Sequence, residues 1–94
     1  MEYPKRISLF KIKTLDNAEI PQEDKYPSNS YIKMGYLFEH TLPKVGYGFG
    51  VFQSKTYCNF VTSVVTEILE QNEEFIIIKT LNSLYRIEIT DDFE

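Results

Sequence analysis

Hydrophobic and polar residues alternate along most of this chain, in segments of the length that β-strands have. These segments lie at residues 6–15, 31–39, 47–53, 63–70, 75–81 and 84–90. Alternation over four to eight residues indicates a strand with one face in a core and the other towards solvent. We therefore predict a mainly β fold, a small five- to six-stranded antiparallel barrel or meander of the SH3-like or OB-like kind.

Breaks in the alternation predict local irregularities. In the first segment the hydrophobic positions shift from Ile7 and Leu9 to Phe10 and Ile12. Such a shift predicts a bulge, or a strand that bends between two layers. Gly35 interrupts the second segment and predicts a bulge or the close approach of a neighbouring segment.

The third segment alternates aromatic residues with glycine. Tyr47, Phe49 and Val51 would lie on one face, with Gly48 and Gly50 on the other. Because glycine has no Cβ atom, this pattern predicts that a backbone or ring lies close to the strand, or that the barrel wall curves sharply there.

The last three segments read as consecutive strands. The unbroken run Ile76–Ile78 predicts a central strand that is buried on both faces. Asn82 and Ser83 predict the final tight turn, since asparagine tolerates the positive φ that such turns need.

Residues 61–72 permit a second interpretation. Hydrophobic residues also recur there at helical spacing, so one short helix is the alternative to a strand. Several of these residues are β-branched and lose rotamer freedom in a helix, which favours the strand. Residues 16–30 are polar, contain two prolines and predict a long loop, a length that in compact domains is often functional.

Length and composition narrow the class of protein. Ninety-four residues, 43% hydrophobic and 26% charged, predict one globular domain over residues 1–94. No apolar run resembles a signal peptide or a membrane span, and Cys58 is the only cysteine, so no intrachain disulfide can form. We expect a cytoplasmic protein that has no contact with a membrane.

Side chains with catalytic chemistry are scarce. His40 is the only histidine, and it lies 18 residues from Cys58 without a supporting motif. A catalytic triad or a zinc site needs several such groups together, and the paired acidic residues are typical of solvated turns. We predict no catalytic residue, metal site or cofactor, and hence not an enzyme.

Charge and aromatic residues suggest binding surfaces instead. Residues 67–94 carry eight acidic residues against Lys79 and Arg86, a net charge of −6. Seven tyrosines are more than so small a core can bury with hydrogen-bond partners, so several should reach the surface. The predicted partner-binding residues are Tyr36, Tyr47, Tyr57, Glu67, Glu70, Glu73 and Glu74.

The residue pattern of three stretches resembles small β-barrel proteins of phages and mobile elements, including anti-CRISPR inhibitors. The stretches are MGYLFEHTLPKVGYGFGVFQ at 34–53, TSVVTEILE at 62–70 and KTLNSLYRIEI at 79–89. The resemblance implies an acidic inhibitor that docks on a host defence effector, such as an RNA-guided CRISPR nuclease or its ribonucleoprotein complex.

Two other functions remain open from the sequence. A single-stranded nucleic-acid-binding barrel would use Tyr31, Lys33, Tyr47 and Lys55, although the net charge of −4 opposes nucleic acid as the sole partner. A structural or assembly accessory protein would self-associate through an exposed strand edge.

Overall fold

The computed structural model describes residues 4–15 and 29–90, which form six strands. The strands are β1 Lys5–Thr14, β2 Ser30–Leu37, β3 Gly48–Phe52, β4 Cys58–Gln71, β5 Phe75–Thr80 and β6 Ser83–Thr90. A 3-10 helix at Glu39–Thr41 is the one helical element of those two ranges. The predicted loop at 16–30 falls mostly outside the described residues, and its last residue, Ser30, opens β2.

Each strand pairs antiparallel with the next along the chain, and β6 pairs with β1 to close a barrel. This order confirms the predicted mainly β antiparallel barrel. The helix considered for residues 61–72 is wrong, because Cys58–Gln71 forms one continuous strand. The β-branched residues of this segment suit a pleated surface better than a helix.

The core fills the inside of the barrel. Its fully buried hydrophobic residues include Ile7, Leu9, Leu37, Phe49, Val51, Val65, Ile76, Ile78 and Ile87. They come from all six strands, so each strand contributes one face to a single core. Phe49 and Val51 share one face of β3 as predicted, and that face points into the barrel, whereas Tyr47 precedes the strand and is 62% exposed.

Two predictions for the last strands need correction. Ile77 is only half-buried, because a barrel wall has one inner face and Ile77 lies between the buried Ile76 and Ile78. Asn82 does not adopt a positive φ; within the described ranges, only Asn29 and Gly46 do. The turn is held instead by Thr80, whose hydroxyl oxygen accepts a hydrogen bond from the Ser83 N–H at 3.1 Å.

The predicted irregularity in β1 is present, but its consequence differs from the expectation. The register with β2 shifts between Leu9 and Phe10. Phe10 and Ile12 stay half-buried, and Lys11 instead continues the buried series with 1% exposure. A lysine therefore occupies a position that the pattern assigned to the outer face.

Burial lowers the pKa of Lys11 below its ordinary value of 10.5, because desolvation disfavours the charged form. Between that lowered pKa and 10.5 the unfolded chain binds more protons, so stability rises with pH in this window. We expect the free energy of unfolding, relative to that of Lys11→Met, to be larger at pH 10 than at pH 7. Urea denaturation at both values measures it, with Lys13→Met as an exposed control. A difference between wild type and Lys11→Met that is the same at both pH values would contradict the prediction.

Strands β2 and β3 share fewer register pairs than any other two neighbouring strands of the barrel. The two strands share one register pair, Tyr36 with Phe52. A Cβ atom at Gly35 would lie 2.6 Å from Val51 Cγ1 and 2.7 Å from the Phe52 carbonyl oxygen. The close approach predicted at Gly35 is confirmed, and the missing side chain is what lets β3 reach β2.

Candidate functional site

A groove of about 360 Å³ lies beside β3 and β4. Gly48 and Gly50 lie along it, and side chains that include Leu42, Phe52 and Val61 form its sides. Glycine at both positions leaves the part of the groove beside them free of side chains, and Phe52 is the β3 residue whose side chain lines it.

The two glycines are required by close packing as well. A Cβ atom at Gly50 would lie 2.8 Å from the Phe52 ring and 3.0 Å from Cys58 Sγ. One at Gly48 would lie 2.6 Å from the Thr62 carbonyl oxygen. The prediction that a backbone or ring lies close to these glycines is confirmed.

Two exposed hydrophobic side chains line the groove, and two more lie within three residues of them in sequence. Tyr47 is 62% exposed and Val61 is 59% exposed, and both line it. Val45 and Val64 are also exposed. We name these four residues, Val45, Tyr47, Val61 and Val64, the apolar patch. Large hydrophobic side chains grouped on a surface mark interaction sites more often than isolated ones do.

Main-chain hydrogen bonds connect the segment that carries Val45 and Tyr47 to strand β4, which carries Val61 and Val64. The Gly46 N–H donates to the Val65 carbonyl oxygen, and the Val65 N–H donates to the Tyr47 carbonyl oxygen, each at 2.9 Å. Gly46 has a φ of 97°, a value that favours glycine and that turns the chain into β3. The position of Tyr47 is therefore fixed by its backbone rather than by burial of its ring.

A cation lies at the edge of the apolar patch. Lys44 Nζ is 5.4 Å from the centroid of the Tyr47 ring, within the range of a cation–π contact. Lys44 is itself exposed and lines the groove. The contact orients the Tyr47 ring while leaving most of the ring open to a partner.

His40 and Cys58 both line the groove, but each has a main-chain partner of its own. His40 Nε2 is 3.2 Å from the Lys55 carbonyl oxygen, and its ring lies 6.0 Å from that of Phe52. Cys58 Sγ donates to the Phe60 carbonyl oxygen at 3.5 Å. Across residues 4–15 and 29–90, no three His, Cys, Asp or Glu side chains converge to hold a metal ion.

The predicted acidic residues lie apart from the groove. Glu67 and Glu70 belong to the second half of β4, and Glu73 and Glu74 form the turn that leads to β5. All four are exposed. The Asn72 side-chain oxygen stabilises this turn by accepting hydrogen bonds from the N–H groups of residues 74 and 75, at 2.7 and 2.9 Å. We name residues 67–74 the acidic hairpin.

The three predicted tyrosines lie in three different parts of the fold. Tyr47 lies in the apolar patch, and Tyr57 is 60% exposed in the connection between β3 and β4. Tyr36 is half-buried on β2, where its ring is 6.5 Å from that of Phe38.

Sequence analysis missed the valines of the apolar patch. The sequence placed Val61 and Val64 in a segment that is either a strand or a helix and assigned them to no face, and a register shift between Gly48 and Gly50 changes how β4 meets β3.

Comparison with known proteins returned no matching family model, no matching curated protein and no matching solved structure. In the part of the chain that the structure describes, no helix is long and apolar enough to cross a membrane.

Proposed function

We propose that this chain is a non-catalytic binding protein that docks on another protein through the apolar patch. The observation that carries the proposal is that two exposed hydrophobic side chains of the patch, Tyr47 and Val61, line one groove, with Tyr47 the most exposed of the four. Tyrosine is enriched among the residues that dominate binding energy, because its ring buries a large area and its hydroxyl group can form a hydrogen bond.

The proposed partner is a host defence effector, such as an RNA-guided CRISPR nuclease. The resemblance of residues 34–53, 62–70 and 79–89 to phage and mobile-element inhibitors supports this partner. The acidic hairpin supports it as well, because four exposed glutamates can occupy a basic channel that otherwise binds phosphate groups. Under this proposal the chain acts in the cytoplasm and blocks the nuclease by occupying its nucleic-acid channel.

The apolar patch favours a protein partner over single-stranded nucleic acid. Three of its four residues are valines, which cannot stack on bases as aromatic rings do. Among the residues considered for nucleic-acid binding, Tyr31 packs edge-on against Phe10 at 5.7 Å on the β1–β2 side of the barrel. Lys44, at the edge of the patch, already lies over the Tyr47 ring.

The test compares two tyrosines of nearly equal exposure. Binding of the purified chain to a panel of guide-loaded RNA-guided nucleases is measured by biolayer interferometry, together with inhibition of DNA cleavage. We expect Tyr47→Ala to weaken binding by about 30-fold or more, as loss of a dominant interface residue of roughly 2 kcal/mol does. Tyr57→Ala, 60% exposed but outside the patch, should change binding by less than about threefold.

Other outcomes would contradict the proposal. Equal losses for Tyr47→Ala and Tyr57→Ala would show that the apolar patch is not the contact surface. No binding to any nuclease of the panel would refute the proposed partner class. Filter binding of single-stranded RNA at low salt that is lost on Tyr47→Ala would favour the nucleic-acid alternative.

A further inference from the structure

Strand β4 extends well beyond the strand on one of its sides. It runs for 14 residues, and its last register pair with β3 is Val64 with Gly48. From Val65 to Gln71 its register partners all belong to β5. On the side away from β5, the segment Thr66–Gln71 therefore has no neighbouring strand among the described residues.

This open edge presents main-chain groups that can form hydrogen bonds. N–H and C=O groups along a strand alternate between its two sides, so about half of those in Thr66–Gln71 point away from β5. The one side-chain hydrogen bond found in the segment, from Thr66 Oγ1 to the Lys79 carbonyl oxygen, lies on the β5 side. Five of the six residues are exposed, and Ile68 is half-buried. The edge is accessible along its length.

The charge of the edge selects what can pair with it. Glu67 and Glu70 belong to the segment, and Glu73 and Glu74 follow directly in the turn. A second copy of the chain would bring the same glutamates against them, and like charges opposite each other destabilise a strand pair. Two register shifts, after Val65 and after Ile68, further discourage pairing between copies. A segment rich in lysine or arginine would instead place positive charges opposite these glutamates and stabilise the pair.

We propose that the open edge of β4, residues 66–71, binds an extended, lysine- or arginine-rich segment of another protein as an added strand. Main-chain hydrogen bonds provide the pairing, and the glutamates provide the selectivity for basic side chains. The exposed side chain of Leu69 offers an apolar contact to a residue between two basic ones. This inference shares Glu67 and Glu70 with the acidic hairpin of the proposed function but involves neither the groove nor Tyr47, so the two can be tested separately.

The experiment uses the full chain and a defined probe, a peptide of about eight residues that alternates lysine and valine. Amide hydrogen exchange, read by NMR, is compared with and without the peptide. We expect exchange of amides within residues 66–71 to slow by about tenfold or more near saturation, while amides of the apolar patch are unchanged. Raising the salt concentration should weaken binding, because the pairing charges are exposed.

Three controls separate strand addition from simple charge attraction. An alternating glutamate–valine peptide should not bind. The lysine–valine peptide with alternate main-chain nitrogens methylated keeps its charge but loses donors, and should bind about tenfold more weakly. The double variant Glu67→Gln, Glu70→Gln keeps the edge and should also bind about tenfold more weakly.

Two results would overturn the inference. One is equal binding of the methylated and unmethylated peptides, which would mean that the glutamates attract any cationic chain. The other is slowed exchange outside residues 66–71 only. Failure of this test leaves the Tyr47 comparison unaffected, because that comparison changes tyrosines outside the acidic hairpin.

Discussion

Replacing Phe49 by alanine is expected to destabilise the barrel by about 3–5 kcal/mol, the range for removal of a buried aromatic ring. Phe49 is 1% exposed, and β3 contributes only one other buried residue, Val51. Removing the ring leaves a cavity in the middle of the core that a closed barrel cannot collapse to fill. For a domain of this size, the loss corresponds to a fall in Tm of roughly 15–30 °C.

Tyr47→Ala is the matched control for Phe49→Ala. The two residues lie two positions apart and both carry large rings, but Tyr47 is 62% exposed. Its replacement should change the free energy of unfolding by less than about 0.5 kcal/mol. Urea denaturation and thermal unfolding of both variants measure the contrast. Similar losses for the two would contradict the placement of Phe49 inside the barrel and Tyr47 outside it.

Gly35→Ala is expected to destabilise the barrel by about 3 kcal/mol, at the upper end of the usual range for overpacking. The added methyl group would lie 2.6 Å from Val51 Cγ1 and 2.7 Å from the Phe52 carbonyl oxygen. A side chain can rotate away, but the carbonyl oxygen belongs to β3 and moves only with the strand. That movement would separate β2 from β3 at their one register pair, Tyr36 with Phe52.

Gly46→Ala separates steric overlap from backbone strain. Gly46 has a φ of 97° and no atom within 4 Å of a Cβ position, so alanine there adds conformational strain alone. We expect it to destabilise the fold by about 1–2 kcal/mol. Chemical denaturation should therefore rank Gly35→Ala as the more damaging substitution. The reverse order would show that β2 and β3 do not approach each other as closely as the structure has them.

The sequence was informative about the fold wherever one face of a strand is buried. Alternation in 84–90 predicted β6 to within a residue, because each inward side chain there meets the core. The pattern was misleading at Lys11, since a buried lysine looks like an outer-face residue. It was misleading again at Ile77, because an outer-face isoleucine looks like a core residue. Side-chain type reports the average environment, and individual barrel positions depart from it.

The binding surface was less accessible to sequence reasoning. Exposure of Tyr47 and of the four glutamates was predicted, and all five are exposed. The grouping of Tyr47 with Val61 and Val64 depends on how β3 and β4 are registered, and irregular pairing there cannot be deduced from alternation. Tyr36, Tyr47 and Tyr57 were predicted together, and the fold separates the half-buried Tyr36 from the two exposed tyrosines.

Because one strand, β4, carries both Val61 of the apolar patch and Glu70 of the acidic hairpin, the distance between these two contacts is fixed. Val61 and Glu70 lie nine residues apart on one strand, so at about 3.3 Å per residue they are separated by at most roughly 30 Å. No flexible linker connects the hydrophobic contact to the acidic one. A partner that binds both surfaces therefore binds two contacts whose relative position is already fixed by β4. Two weak contacts held this way act at high effective concentration, so the pair favours targets whose own contact points lie that far apart.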